Sequence, residues 1–368
     1  MRKRELKNVE WSILIIAIIL TMVGLVALFS ATQETEHDEF YKQCIWLVVS
    51  LVVVIIVMLI DYELLVKISP ILYGIFILLL IAVLFTTPVN GATSWFDIGF
   101  FSFQPGEFAK VFVILFLTFA MRKIQEKNRQ DINKFTRLLI LLAIIGLPIL
   151  LIIMQPDYGT AAAFIVATVM MLIVGGIDKK YIIASIILIV VSVPIIYNFI
   201  LPEHAKTRID IFLNPESDPR GAGYNIIQSK LAIGAGGLTG MGLLKGNQTQ
   251  LGFLYPKTTD FIFAVIGEEM GFIVSAAVII LYVFLIVKGF FIAKTAKDEM
   301  GSLIATGITG IFLFHVVENI GMVMGLLPIT GVPLPFISYG GSSLITNFIC
   351  IAILLNISSK RQKTIFVK

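Results

Sequence analysis

Cysteine and histidine are almost missing from this chain, with two of the first and three of the second in 368 residues. Cys44 and Cys350 lie far apart with no CxxC spacing, which excludes a disulfide framework and a thiolate metal site. His37, His204 and His315 form no HExxH or other ligand spacing. Charge is just as scarce. Asp, Glu, Lys and Arg make up 14% of the residues, where soluble domains carry about a quarter. A net charge of +4 is small, and no nucleic-acid partner is expected. "GAGGLTGMGLLKG" is rich in glycine but holds neither GxxxxGK[ST] nor a complete GxGxxG, and no strand precedes it. That excludes nucleotide binding.

What remains is apolar. Hydrophobic residues make up 58% of the chain, and the mean hydropathy is +0.95. Runs long enough to cross about 30 Å of hydrocarbon fall at 11–31, 44–61, 65–86, 104–121, 137–154, 158–176, 180–200, 260–288, 302–327 and 337–357. "MRKRELK" before the first run resembles the basic start of a signal peptide. The run is long enough to span and no A-x-A site follows, so it reads as an uncleaved first helix. The expected fold is an all-α polytopic membrane protein of about ten transmembrane helices, residues 1–368 forming a single transmembrane domain.

Lys and Arg give the orientation. Arg2, Lys3, Arg4 and Lys7 precede helix 1; Arg122, Lys123, Lys127, Arg129, Lys134 and Arg137 follow helix 4. Lys179, Lys180, Lys288, Lys294, Lys297 and the basic C-terminal tail fall on the same side, whereas the short loops opposite hold only Lys42. Both termini are therefore expected in the cytoplasm, with 201–259 as a large extracellular loop between helices 7 and 8. The loop composition predicts a short amphipathic helix over 225–233 and then a glycine-rich turn. No inverted repeat of the transporter type is found.

A few ionisable residues stand where they are costly. In "TTDFIFAVIGEEMGF" (258–272), Asp260 opens helix 8, and two compatible readings suit it: an N-cap, and a carboxylate at the membrane–water boundary usable as a base. Glu268 and Glu269 come about 12–14 Å further along an uninterrupted helix, near mid-membrane, where they either fix packing or line a path. In "FQPGEFAK", Glu107 and Lys110 are three apart and can pair. Lys110 either snorkels to the outer surface or serves a site. Asp157 in "MQPDYGT" is explained by capping helix 6. In the large loop, Arg208, Arg220 and Lys257 are candidates for contacting an anion such as a diphosphate. His315, Glu318 and Asn319 share one face of helix 9 and read as an interhelical hydrogen-bond cluster rather than a metal site. Together, the acids and bases at outer helix ends suggest a site for a polar or charged substrate at the outer leaflet.

At these residues the sequence resembles the SEDS family (shape, elongation, division and sporulation), the RodA/FtsW/SpoVE membrane glycosyltransferases, and is most similar to the RodA branch. The resemblance rests on "GATSWFDIGFFSFQPGEFAK", "MQPDYGTA", "NPESDPRGAGYNIIQSKLAIGAGGL", "GNQTQLGFL", "TDFIFAVIGEEMGF" and "PITGVPLPFISYGGSS", in family order across nearly the whole chain. Gly106 replaces the family's usual Ser in "QPSE", and Thr259 stands where a His is usual.

The resemblance implies polymerisation of lipid II into glycan strands at the outer face of a bacterial plasma membrane. It implies a class B penicillin-binding protein as partner, among other elongation or division proteins. No cofactor is implied beyond a possible divalent cation (Mg or Mn), for which Asp260 is the only candidate ligand. Asp260 corresponds to the family's essential carboxylate, and Glu107 with Lys110 to its helix-4 ion pair. Asp157 and Arg208 correspond to polar cavity residues. Tyr224, Gln228, Lys257, Glu268, Ser338, Tyr339, Gly340 and Gly341 lie in or beside the matching stretches and are further cavity candidates. Two rival readings are a lipid II flippase, with Glu268, Glu269 and Glu318 along its path, and a non-catalytic scaffold for the penicillin-binding protein.

Overall fold

The computed structural model describes residues 8–88, 92–97, 99, 101–200, 206, 211–218 and 222–361. A helix stands in each of the ten expected runs. In chain order these are α1 (Ser12–Ala31), α2 (Asp38–Leu59), α3 (Tyr62–Val83), α4 (Pro105–Gln125), α5 (Phe135–Ile153), α6 (Tyr158–Val174) and α7 (Lys179–Ile195). After the large loop, which carries α8 (Ala222–Ala235) and the single turn α9 (Asn247–Gln250), come α10 (Ile262–Thr295), α11 (Glu299–Val323) and α12 (Gly341–Ser359). Seven of these helices are long and apolar enough to cross a membrane, and α6 is a shorter apolar one. A two-residue hairpin, β1 (Phe96–Asp97) on β2 (Ser102–Phe103), precedes α4.

Local chemistry explains the boundaries. α2 begins at Asp38, earlier than its apolar run, because Asp38 and Glu39 suit the positive end of a helix. Pro105 opens α4, where its missing N–H costs nothing. Asp157 caps α6 by accepting from the Thr160 amide at 3.1 Å, as its sequence position predicts, and Asp298 caps α11 by accepting from Gly301 at 2.8 Å.

Polar contacts sort the helix ends. Lys288 and Arg361 both pair with Glu10, Lys360 pairs with Asp61, Lys297 with Glu63, and Arg122 with Glu299. The Glu10 amide also donates to Ser358 Oγ at 3.1 Å, so the first and last helices meet at this basic end. At the opposite end Lys257 meets Glu34, Gln104 meets Asp157, and Thr258 meets Tyr339. α11 and α12 form the centre and are buried along most of their length. α2 packs on α12, while α6 and α10 pack on α11.

One expectation fails. α10 is not continuous: Gly271 takes φ 75° and ψ −174°, breaking the helix after nine residues. The portion from 272 to 295 rises about 36 Å and can cross the membrane alone. Glu268 and Glu269 therefore lie in the short segment before the break, not part-way along one uninterrupted helix. The break is shaped by the glycine-rich turn, in which Gly240 (φ 82°) approaches so closely that a Cβ there would stand 2.1 Å from Glu269 O. Met241 and Gly242 donate to the carbonyls of Glu268 and Glu269, and Phe272 and Ile273 donate to those of Gly237 and Leu238. Close backbone approach is what this glycine run provides.

Candidate active site

Three elements converge at the end opposite the basic loops. The first is the start of α4. Glu107 and Lys110 lie one turn apart and pair at 2.8 Å, with side chains 1% and 2% exposed. Lys110 Nζ is also 3.0 Å from His315 Nε2 on α11. A lysine ammonium only donates, so Nε2 accepts. The proton then sits on Nδ1, which donates to Pro333 O at 3.2 Å. Lys110 does not snorkel.

The second element is the α11–α12 connection. It carries Pro328, Pro333 and Pro335, which donate no backbone hydrogen bond, and it forms no ladder of its own. Side chains of three helices hold it instead. Glu318 accepts from Thr330 Oγ1 (2.8 Å), Asn319 donates to Val332 O (2.8 Å), His315 to Pro333 O, and buried Tyr282 of α10 to Pro335 O. From α2, Gln43 donates to Ser338 O and accepts from the Gly340 amide, both at 3.2 Å. Ser338 Oγ donates to Thr259 O at 2.6 Å and the Tyr339 amide to Thr258 O at 3.0 Å, clamping the two residues before Asp260. At Gly341 a Cβ would stand 2.7 Å from the Trp46 ring, so this glycine lets the indole close on α12.

The third element is Asp260 itself. It lies outside α10, whose N-cap position is Phe261, and is half-buried. Its carbonyl accepts from Asn319 Nδ2 at 3.0 Å. Exposed Gly331 (φ 75°) faces its carboxylate, where a Cβ would stand 3.6 Å from Oδ2. Asp260 thus sits at an open edge between α10 and a rigidly held turn, with the Glu107–Lys110–His315 group one turn deeper along α11. Asp157 adjoins this group: its Oδ2 accepts from Gln104 Nε2 at 3.1 Å. Desolvation raises the Asp157 pKa, the bonds to Thr160 oppose the rise, and the nearby Glu107 charge adds to it.

The remaining candidates divide. Ser338, Tyr339 and Gly340 join the site as clamps through backbone and hydroxyl. Tyr224 and Gln228 are half-buried on α8. Lys257 turns away, its ammonium 3.4 Å from Glu34 and 3.0 Å from Thr249 O. Glu268 does not line the site. Fully buried, it accepts from the amides of Gln248 (2.7 Å) and Thr249 (3.0 Å) and from Thr249 Oγ1 (2.7 Å). Glu269 accepts from Gln250 Nε2 at 2.9 Å and the Gly246 amide at 3.3 Å. Arg208 and Arg220 lie outside the described residues. Gln43 and Gln104 were missed, because a single amide side chain at a helix end has no spacing signature. Of the expected interhelical cluster of His315, Glu318 and Asn319, only the His315–Lys110 contact joins two helices; Glu318 and Asn319 bond the turn and the Asp260 carbonyl instead.

A family described as cell cycle protein (FtsW/RodA/SpoVE) matches residues 10–363. The chain belongs to this family. The FtsW/RodA/SpoVE relatives include the peptidoglycan glycosyltransferase MrdB of Escherichia coli (strain K12), 40% identical over 80% of this chain and 78% of that protein. They also include the peptidoglycan glycosyltransferase RodA of Treponema pallidum (strain Nichols), 31% identical over 98% of this chain and 100% of that one. Among solved structures, a chain of a peptidoglycan synthase complex that coordinates polymerization and crosslinking superposes with a TM-score of 0.83 at 27% identity, covering 95% of this chain and 97% of that chain. The rod shape determining protein RodA of Thermus thermophilus gives 0.70 at 25% identity over 96% and 98%. With seven helices among the described residues long and apolar enough to cross a membrane, and with these relatives, this FtsW/RodA/SpoVE protein is a multi-pass plasma-membrane protein.

Proposed function

We propose that this chain is a RodA-like peptidoglycan glycosyltransferase that polymerises lipid II into glycan strands, with Asp260 as the catalytic carboxylate. The observation that carries the reading is the placement of Asp260. It is half-buried at the end opposite the basic loops, beside an exposed glycine, in a chain 40% identical to a peptidoglycan glycosyltransferase. By the distribution of Lys and Arg that end faces outward, where lipid-linked donor and acceptor sugars meet.

Transfer from an α-linked lipid diphosphate to a β-1,4 bond inverts the anomeric carbon in one displacement. The acceptor oxygen forms the new bond, the anomeric carbon–diphosphate bond breaks, and the bonding pair leaves with the diphosphate. One base suffices for the acceptor proton, and Asp260 supplies it. The departing diphosphate needs positive charge. Lys110, a candidate from sequence, is 2% exposed and already engaged by Glu107 and His315, so its part is to position. Arg208 is the cation assigned to the leaving group. Among the described residues no three His, Cys, Asp or Glu gather as metal ligands. Among the described residues Asp260 is the carboxylate that would hold a divalent cation, which would supply positive charge to the leaving group.

A class B penicillin-binding protein is the proposed partner, supported by the fold shared with a chain of a peptidoglycan synthase complex. The flippase reading draws on Glu268, Glu269 and Glu318 as a polar path, whereas the bonds each accepts from a neighbouring loop or turn favour a packing role for them.

Purified protein given lipid II in detergent, with and without the partner and with chelator, tests the assignment. The wild type makes glycan ladders, while folded Asp260→Ala and Asp260→Asn make none. Near-normal ladders from either variant refute the role of Asp260.

A further inference from the structure

We propose that Asn319 and His315 are positioning residues that set the distance between the Asp260 carboxylate and the turn facing it, an inference that rests on the glycosyltransferase reading above. The two lie on consecutive turns of α11, about 6 Å apart along its axis. Asn319 is fully buried, and its amide nitrogen holds two carbonyls, Val332 O at 2.8 Å and Asp260 O at 3.0 Å. An amide NH2 has two protons, so both are used. The next carbonyl, Pro333 O, is taken by His315 Nδ1. Three carbonyls from two separate stretches of chain therefore hang from one helix face, and Gly331, which abuts Asp260 Oδ2, immediately precedes the held pair.

The sequence makes this dependence strong. Prolines at 328, 333 and 335 deny the turn a hydrogen-bond ladder of its own. Asp260 lies just outside α10, so helix geometry does not fix it. His315 extends the coupling to the buried ion pair, because it can bond both Lys110 and Pro333 only as the neutral Nδ1–H tautomer. A change at Lys110 therefore reaches Asp260 through His315, Pro333 and Gly331.

Neither residue meets substrate, so their loss should act on turnover and leave binding unchanged. Misplacement by about 1 Å can lower a rate about 100-fold. In the detergent assay Asn319→Ala is expected to lower kcat at least tenfold, with the KM for lipid II within about twofold. His315→Ala does the same, and His315→Asn, which keeps a donor near the Nδ1 position, recovers most of the kcat. Asn319→Ala at wild-type kcat, or a loss confined to KM, overturns the proposal. Should the variants misfold, 15N NMR of the histidine-labelled wild type decides. Of the three histidines, His315 is expected with Nδ1 protonated and Nε2 bare, and Lys110→Met should shift its Nε2 resonance. An Nε2–H or doubly protonated His315 overturns the proposal without reference to activity. A wild type that makes no polymer sinks the glycosyltransferase reading itself. A polymerising wild type matched by Asn319→Ala sinks only this inference.

Discussion

Lys110 Nζ stands 2.8 Å from Glu107 Oε1, and neither side chain is more than 2% exposed. Breaking such a pair leaves a buried charge uncompensated, at a cost of about 3–5 kcal/mol, while replacing both members by apolar groups is often neutral. Glu107→Leu and Lys110→Met are each expected to lower thermal stability in detergent by several degrees. The double variant should recover most of the loss. A double variant as unstable as the sum of the singles would rule out coupling across the pair.

Gly331 should tolerate a side chain poorly. Its φ of 75° strains any L-residue, so a Cβ that would otherwise make ordinary contact with Asp260 Oδ2 at 3.6 Å obliges the turn beside that carboxylate to shift. Gly331→Ala is expected to lower polymerisation at least about tenfold while the protein elutes as a monodisperse peak. Unchanged ladder formation would show that the turn does not border the reacting atoms.

Thr249 gives both its amide and its hydroxyl to Glu268 Oε2, and Gln248 gives its amide to Oε1. Hydrogen bonds to charged groups are worth about 1.5–3 kcal/mol each. Glu268→Ala should therefore release residues 246–250, read as faster amide exchange and new protease cleavage there, with the transmembrane core still protected. Undisturbed exchange in that segment would argue against the latch.

Asp157 gives a pH dependence of defined sign. Desolvation raises its folded pKa above the ordinary value of 3.8, so the folded chain holds this proton more tightly than the unfolded one. Its contribution favours folding at low pH and declines as pH rises from the ordinary value through the raised one. Asp157→Asn keeps a good N-cap and should flatten that part of the stability profile, measured by thermal unfolding from about pH 4 to 7. A variant with the wild-type slope would mean that Asp157 does not titrate there.

Local sequence carried much of the fold. Twenty-residue apolar stretches must close their backbone hydrogen bonds internally wherever they meet lipid, so hydropathy alone places ten helices. Pro105 opening α4, the Asp157 cap and the loop helix, expected over 225–233 and found as Ala222–Ala235, follow from short-range rules in the same way. The Glu107–Lys110 pair was also legible, since three residues of helix bring any two side chains together. Tertiary structure decided the rest. The sequence alone could not reveal that α10 breaks at Gly271, because glycine permits the break and only the packed turn at Gly240 requires it. Nor could it reveal that Glu268 latches a loop or that Lys110 points at His315, 205 residues away. Those contacts depend on which helix faces meet, and a buried polar group takes whichever partner the packing brings within reach.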